Sequence, residues 1–132
     1  MMKKTINISP LGGVGQIGSN ATLYQYKETS IIIDCGILFP YEDHFEINYL
    51  IPNLKNVPEV EHLIITHGHE DHIGAIVHYI ERFPNIQIYA PKFARELILL
   101  KLNYKKISKQ IHEFKETIVI NEIEIEPIQV NH

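Results

Sequence analysis

Apolar and polar positions change period several times along the chain, and each change marks an element. Thr5-Ile6-Asn7-Ile8 alternates and predicts a first strand, ended by Ser9-Pro10. After a glycine-rich turn, Ser19 to Tyr26 predicts a second strand. Ile31-Ile32-Ile33-Asp34-Cys35-Gly36 is a continuous apolar run, the pattern of a strand covered on both faces. Residues 37 to 58 show little periodicity and carry Pro40, Pro52 and Pro58 with Phe39, Tyr41, Phe45 and Tyr49, which predicts a long functional loop with one short helical turn. Val60 to Thr66 returns to a strand pattern. Ile73, Ile76, Val77, Ile80 and Phe83 then line one face of a helix that Pro84-Asn85 stops. Ile86 to Tyr89 predicts a short strand, and Pro91 opens a helix that buries Phe93, Ala94, Leu97, Ile98 and Leu100. From Ile111 the period is two again. Thr117 to Ile120 and Ile123 to Glu126 predict a hairpin about Asn121-Glu122, an unusual turn for lack of glycine. Ile128-Gln129-Val130 predicts a last strand that delivers His132 at its end. The pattern as a whole is that of an α/β fold, one β-sheet layer with flanking helices.

Composition narrows the class without changing it. A chain of 132 residues with 45% hydrophobic and 21% charged positions fits one globular domain. No run approaches the ~18 apolar residues of a membrane span, and the opening Met1-Met2-Lys3-Lys4 leads into no signal-peptide pattern. The single cysteine, Cys35, makes no internal disulfide, which favours a reducing cytoplasmic location, and it fits a small buried residue better than a ligand. A net charge of −4 excludes a general nucleic-acid glue. The charge is uneven: Lys92, Arg95, Lys101, Lys105, Lys106 and Lys109 stand against the single acid Glu96, while Glu113 to Glu126 is acidic. The basic run reads first as a solvated helix face and second as a weak phosphate contact.

The chemistry concentrates in Thr66-His67-Gly68-His69-Glu70-Asp71-His72, between a strand and a helix. Imidazole and carboxylate are the usual ligands of zinc. In an extended segment His67 and His69 point the same way and can share one metal. Asp71 and His72, where the chain turns into the helix, are displaced from that pair and suit a second metal. Two metals ~3.5–4 Å apart form the arrangement used for hydrolysis of phosphate esters and amides. The bland alternative is a set of loop histidines with no ligand. His132, at a strand end, is a natural third ligand beside His67 and His69. Asp34 needs donors, either an imidazole N–H of a metal ligand or local turn bonds. Gly13-Val14-Gly15-Gln16-Ile17-Gly18 fits a dinucleotide-binding pattern, but a strand rather than a helix follows it, so the glycines are read as a tight turn that comes close to a neighbouring site.

Together these residues resemble the metallo-β-lactamase superfamily, whose His-x-His-x-Asp-His motif stands at His67, His69, Asp71 and His72. Asp34 matches that family's first-strand aspartate and His132 its next, strand-end histidine. Within the superfamily the chain is similar to the bacterial ribonuclease J family, which belongs to the β-CASP group. The likeness runs through residues 11–20 and 34–40, Ile51-Pro52, residues 63–74, and Val130-Asn131-His132. Gln16 stands where that family usually has Glu, and Asn53 where it usually has Asp.

The resemblance implies the first half of the four-layered αβ/βα sandwich, with residues 1–132 the amino-terminal part of a metallo-β-lactamase domain, ending before a β-CASP domain. It implies metal-dependent hydrolysis of RNA phosphodiesters, in RNA decay or processing, by a cytoplasmic homo-oligomeric parent, exonuclease or endonuclease. His67, His69, Asp71, His72 and His132 would hold up to two Zn2+, or Mn2+ in its place. Asp71 would also be the catalytic residue that orients the attacking hydroxide, and Asp34 would support the ligands from behind. By the same implication the chain alone is inactive, lacking a downstream aspartate and a final histidine. A thioesterase of the glyoxalase II type and a non-catalytic metal-binding or interaction fragment are the two rival readings.

Overall fold

The apolar runs in the middle of the chain become neighbouring strands. The computed structural model describes residues 3–40 and 46–132. Its main sheet has six strands in the order β1-β2-β3-β4-β5-β6: β1 (Asn7–Gly12), β2 (Ala21–Tyr26), β3 (Thr29–Ile33), β4 (His62–Ile64), β5 (Gln87–Ala90) and β6 (Ile111–Glu113). The first three pair antiparallel, and β3 to β6 pair parallel. Strands β7 (Ile118–Ile120) and β8 (Ile123–Ile125) form a separate hairpin. Asn121 turns it at φ 53, a left-handed conformation that asparagine tolerates better than most residues, so no glycine is required.

Alternation along the central strands assigns their faces. Ile32, Leu63, Ile65, Ile88 and Ala90 join the core beneath the helices. Ile31, Ile64 and Phe114 pack with Ile120 of the hairpin on the opposite face, where Ile33 and Tyr89 lie against them. Strand β4 is only three residues long. Its hold comes from burial: Leu63, Ile64 and Ile65 are 0%, 2% and 0% exposed. Each such side chain contributes ~1.5–3 kcal/mol, more than the ~0.5–1.5 kcal/mol net of a ladder hydrogen bond.

Several expectations need correction. The first strand starts later than Thr5 and runs through Pro10, which is tolerated because β1 is an edge strand with an irregular register between Pro10 and Gly12. The single helix expected over 73–83 is two: α1 (Glu70–Ile73) and α2 (Ile76–Arg82). The amide of Ala75 donates to Cys35 O at 2.8 Å instead of to Asp71 O, which accepts from Asn20 N at 3.1 Å, so the helical ladder is interrupted at the junction. In α3 (Lys92–Tyr104) the buried residues are Ala94, Ile98 and Leu102, whereas Phe93 is 73% and Leu100 66% exposed. No strand forms over 128–130, and Ile128 and Val130 are exposed. Among the described residues of the loop there is no helix, only turns at Glu46 and at Lys55-Asn56, the latter closed by Val57 N donating to Leu54 O at 3.2 Å, and a bridge between Leu38 and Leu50. Tyr41 and Phe45 lie outside the described residues. Arg82 ties the loop down, donating to Val57 O at 2.7 Å and to Leu54 O at 3.3 Å. No described helix is long and apolar enough to cross a membrane.

Candidate metal centre

The parallel strands β3 and β4 end side by side, and the segments that leave them converge. Asp34 comes one residue after β3, with φ 67, and its amide donates to Ile64 O at 2.9 Å. Its side chain is 7% exposed and accepts from three groups. Thr66 N donates to Oδ1 at 2.8 Å, Thr66 Oγ1 to Oδ2 at 2.8 Å, and His72 Nδ1 to Oδ2 at 2.7 Å. These partners lie 32 and 38 residues away in sequence, so they are tertiary contacts and not local turn bonds.

This arrangement sets the tautomers of two histidines. A carboxylate only accepts, so His72 carries its proton on Nδ1 and presents Nε2 as a lone pair. The Thr66 hydroxyl gives its proton to Asp34, so it accepts from His67 Nδ1 at 3.0 Å, which leaves Nε2 of His67 as a second lone pair. His67 and His72 stand with ring centroids 4.0 Å apart. His67, His69 and His132 bring one ligand atom each within 4.8 Å of one another, a donor set able to hold a metal ion. His132 reaches this place without a strand, its ring 4.7 Å from His67 and 4.8 Å from His69. Asp71 Oδ2 lies 3.3 Å from His72 Nε2, beside the trio. Three imidazoles with a carboxylate and a fourth imidazole adjacent suit zinc or another borderline divalent cation.

Charge agrees with that chemistry. Burial, reinforced by neighbouring His72 and His69, lowers the His67 pKa below its ordinary value and keeps the ring neutral. Burial also pushes on His72, but the hydrogen bond to Asp34 and the charges of Asp34 and Asp71 outweigh it and raise that pKa.

Two polar residues at the site stood in the sequence only as members of longer stretches, with no role assigned to them, Thr66 and Asn20. Asn20 Nδ2 lies 3.0 Å from Asp71 O, 3.1 Å from Asp71 Oδ2 and 3.3 Å from His72 Nε2. Asn20 ends the glycine-rich stretch, and β2 comes directly after that stretch, in keeping with its strand pattern. Helix α3 supports the motif from the other side. Gly68 faces Ala94 and Leu97, and Lys101 Nζ pairs with Glu70 at 2.7 Å. Cys35 is fully buried, with its thiol pKa pushed up by burial and by Asp34. Of the basic run, Arg95 donates to Ile111 O at 2.7 Å and Lys109 to Pro84 O at 3.0 Å. The hollow of about 470 Å³ lined by Lys106 and Lys109 lies at the C-terminal end of α3, and none of the motif histidines lines it. A second hollow, about 400 Å³, adjoins the site and is lined by Ile17, Gly18, Ile37, Phe39, Glu70 and Asp71.

Residues 14–131 match the Metallo-beta-lactamase superfamily, and the chain belongs to it. Solved structures share its fold: a diphosphatase from the PhnP family has a TM-score of 0.66 at 18% identity, covering 92% of this chain and 56% of that one. A protein of unknown function from Enterococcus faecalis V583 has a TM-score of 0.72 at 19% identity, covering 98% of this chain and 38% of that one. Among curated relatives the chain is similar to ribonuclease J. It is 35% identical over 115 residues to Ribonuclease J of Mycobacterium tuberculosis H37Rv, covering 84% of this chain and 21% of the relative. It is 41% identical over 111 residues to Ribonuclease J of Mycoplasma genitalium, covering 81% and 20%, and 43% identical over 101 residues to Ribonuclease J 1 of Streptococcus pyogenes, covering 74% and 18%. The chain thus spans about a fifth of the length of these relatives.

Proposed function

We propose that this chain carries the metal-binding part of a ribonuclease J-like hydrolase that cleaves RNA phosphodiesters. The observation that carries the reading is the convergence of His67, His69 and His132 within 4.8 Å, with Asp71 and His72 beside them, in a chain similar to ribonuclease J over most of its length. His67, His69 and His132 would hold one zinc, and Asp71 with His72 a second cation, zinc or manganese. Bound divalent cations supply Lewis acidity at the phosphate and lower the pKa of water toward ~7. The residues contribute orientation. Asp34 fixes the tautomers of His72 directly and of His67 through Thr66, and Asp71 is the catalytic carboxylate that would direct the attacking water. Substrate binding by a homo-oligomer belongs to the same reading.

Metal analysis of chain purified without chelator, followed by paired assays on 5′-monophosphorylated RNA and on a thioester, tests it. Nearer one zinc than two per chain is expected, because the first position has three protein ligands here and the second has two. His67→Ala should lose that zinc. The chain by itself should cleave RNA little. Joined to the further length its relatives have, it should cleave RNA in a metal-dependent way that Asp71→Asn abolishes, and should leave the thioester intact. Absence of bound metal, or thioester hydrolysis exceeding RNA cleavage, overturns the reading.

A further inference from the structure

The glycine-rich stretch from Gly12 to Gly18 leads into a strand rather than a helix, and it places one side chain at the site. Asn20 lies at its end, and its carboxamide reaches the Asp71-His72 pair 51 residues away in sequence. A Cβ on Gly13, whose φ is +81, would stand 2.7 Å from Asn20 Oδ1, so the missing side chain leaves the room the carboxamide occupies. The main chain of Asn20 is held as well: its amide donates to Asp71 O at 3.1 Å, and its carbonyl accepts from Gly36 N at 2.9 Å. The carboxamide nitrogen faces two oxygens of Asp71, and only that orientation makes hydrogen bonds there.

We propose that Asn20 is a positioning residue for a cation held by Asp71 and His72, fixing the Asp71 carboxylate through its amide hydrogens. Nδ2 carries two hydrogens and meets three acceptors: Asp71 O, Asp71 Oδ2 and His72 Nε2. A cation that takes His72 Nε2 leaves both hydrogens for the two Asp71 oxygens. The amide then ties Oδ2 to the main chain of its own residue and immobilises the carboxylate. The same bonds occupy the carbonyl that would otherwise continue the helix, so Asn20 contributes, with the Ala75 N to Cys35 O bond, to the α1–α2 break while it orients Asp71. The side-chain hydrogen bonds of Asn20 go to Asp71 and His72 and none goes to His67, His69 or His132, so its effect should fall on one of the two metal positions more than on the other.

The inference rests on the reading that Asp71 and His72 take a cation, and the experiment separates the two. The chain is loaded with one equivalent of zinc and titrated with Mn2+, and paramagnetic broadening of the His72 ring signals is followed by NMR. Asn20→Leu, close in shape but unable to donate, should raise the Mn2+ midpoint ~10-fold or more, the loss typical of removing a partner behind a metal ligand. Its zinc affinity, read by chelator competition, should stay within threefold of the unaltered chain. Asn20→Ala, which removes the carboxamide without adding bulk, should shift the midpoint the same way. Saturable broadening that neither variant shifts overturns the inference alone, as does an equal loss at both positions or a failure of both variants to fold. No saturable broadening at His72 in the unaltered chain overturns the reading of the site and the inference with it.

Discussion

Replacing Gly36 by alanine tests whether the site is assembled by backbone contact. The added Cβ would stand 1.6 Å from Asp71 O and 2.9 Å from Asn20 N, against a closest approach near 3.0 Å that real Cβ atoms essentially never breach. The neighbour is main chain, so no rotamer relieves the clash, and the Asp71 segment must move by more than an ångström. Four hydrogen bonds cross this seam: Gly36 N to Asn20 O at 2.9 Å, Asn20 N to Asp71 O at 3.1 Å, Cys35 N to His72 O at 2.8 Å and Ile37 N to Glu70 O at 3.2 Å. At ~0.5–1.5 kcal/mol each, their loss amounts to ~2–6 kcal/mol. The gain from restricting the unfolded chain, ~0.4–1 kcal/mol for Gly→Ala, is too small to offset it. A domain of ordinary stability, ~5–15 kcal/mol, would be left marginal. Urea unfolding of the chelated chain followed by far-UV circular dichroism measures the change as a lower midpoint at unchanged slope. Gly15→Ala is the control: its φ is +70 and no atom lies within 4 Å of the added Cβ, so it should lose only the ~1–2 kcal/mol of a left-handed residue. A loss below ~1 kcal/mol for Gly36→Ala, or a smaller loss than for Gly15→Ala, refutes the reasoning.

Asp34→Asn retains the shape but sets a carboxamide against three donors, and should destabilise the chelated chain by ~1.5–3 kcal/mol and weaken zinc binding ~10–100-fold; zinc affinity equal to the unaltered chain in a competition titration would rule out its supporting role. In the chelated chain the His72 ring should titrate above the ordinary imidazole range and the His67 ring below it, and NMR pH titration showing the reverse order would refute the hydrogen-bond assignment. Because the His72 pKa is raised on folding, the stability it lends the metal-free chain is complete below the ordinary imidazole pKa and is lost as pH rises through the raised value.

What was legible in the sequence is what depends on neighbours in the chain. Ile31-Ile32-Ile33 and Leu63-Ile64-Ile65 read as strands covered on both faces, and the fold covers them with helices on one side and a hairpin on the other. The dense motif from His67 to His72 announced itself by donor count alone. The break at Gly74-Ala75 did not, because the apolar period continues from Ile73 to Ile76 across it and only the bonds to Asn20 and Cys35 interrupt the ladder. Pro10 argued against a strand because nothing local says that β1 will lie at an edge. Phe93 and Leu100 matched a helical face that the chain leaves in solvent, while Leu102 on the neighbouring stripe is buried. Asn20 and Thr66 are ordinary polar residues in sequence, and their partners are known only once strands β3 and β4 are side by side.

The site is thus assembled from three separate parts of the chain. The donors lie within residues 66–72 and at position 132, but none of the groups that set their tautomers and angles does, apart from Thr66: Asp34, Asn20 and Gly36 come from the first third of the chain. His72 is a case in point. Its Nε2 is available because its Nδ1 proton is held by Asp34, and Asp34 is in place because its amide is bonded to Ile64 O on the adjacent strand. A peptide of the motif alone would offer the same atoms with free tautomers and free rotamers. It would pay the ordering entropy on binding, whereas the folded chain has met that requirement through the burial of Leu63, Ile64 and Ile65. On the proposed reading, metal affinity would therefore depend on the β3–β4 pairing as much as on the histidines, and a substitution that loosens the pairing should weaken the site without touching a donor.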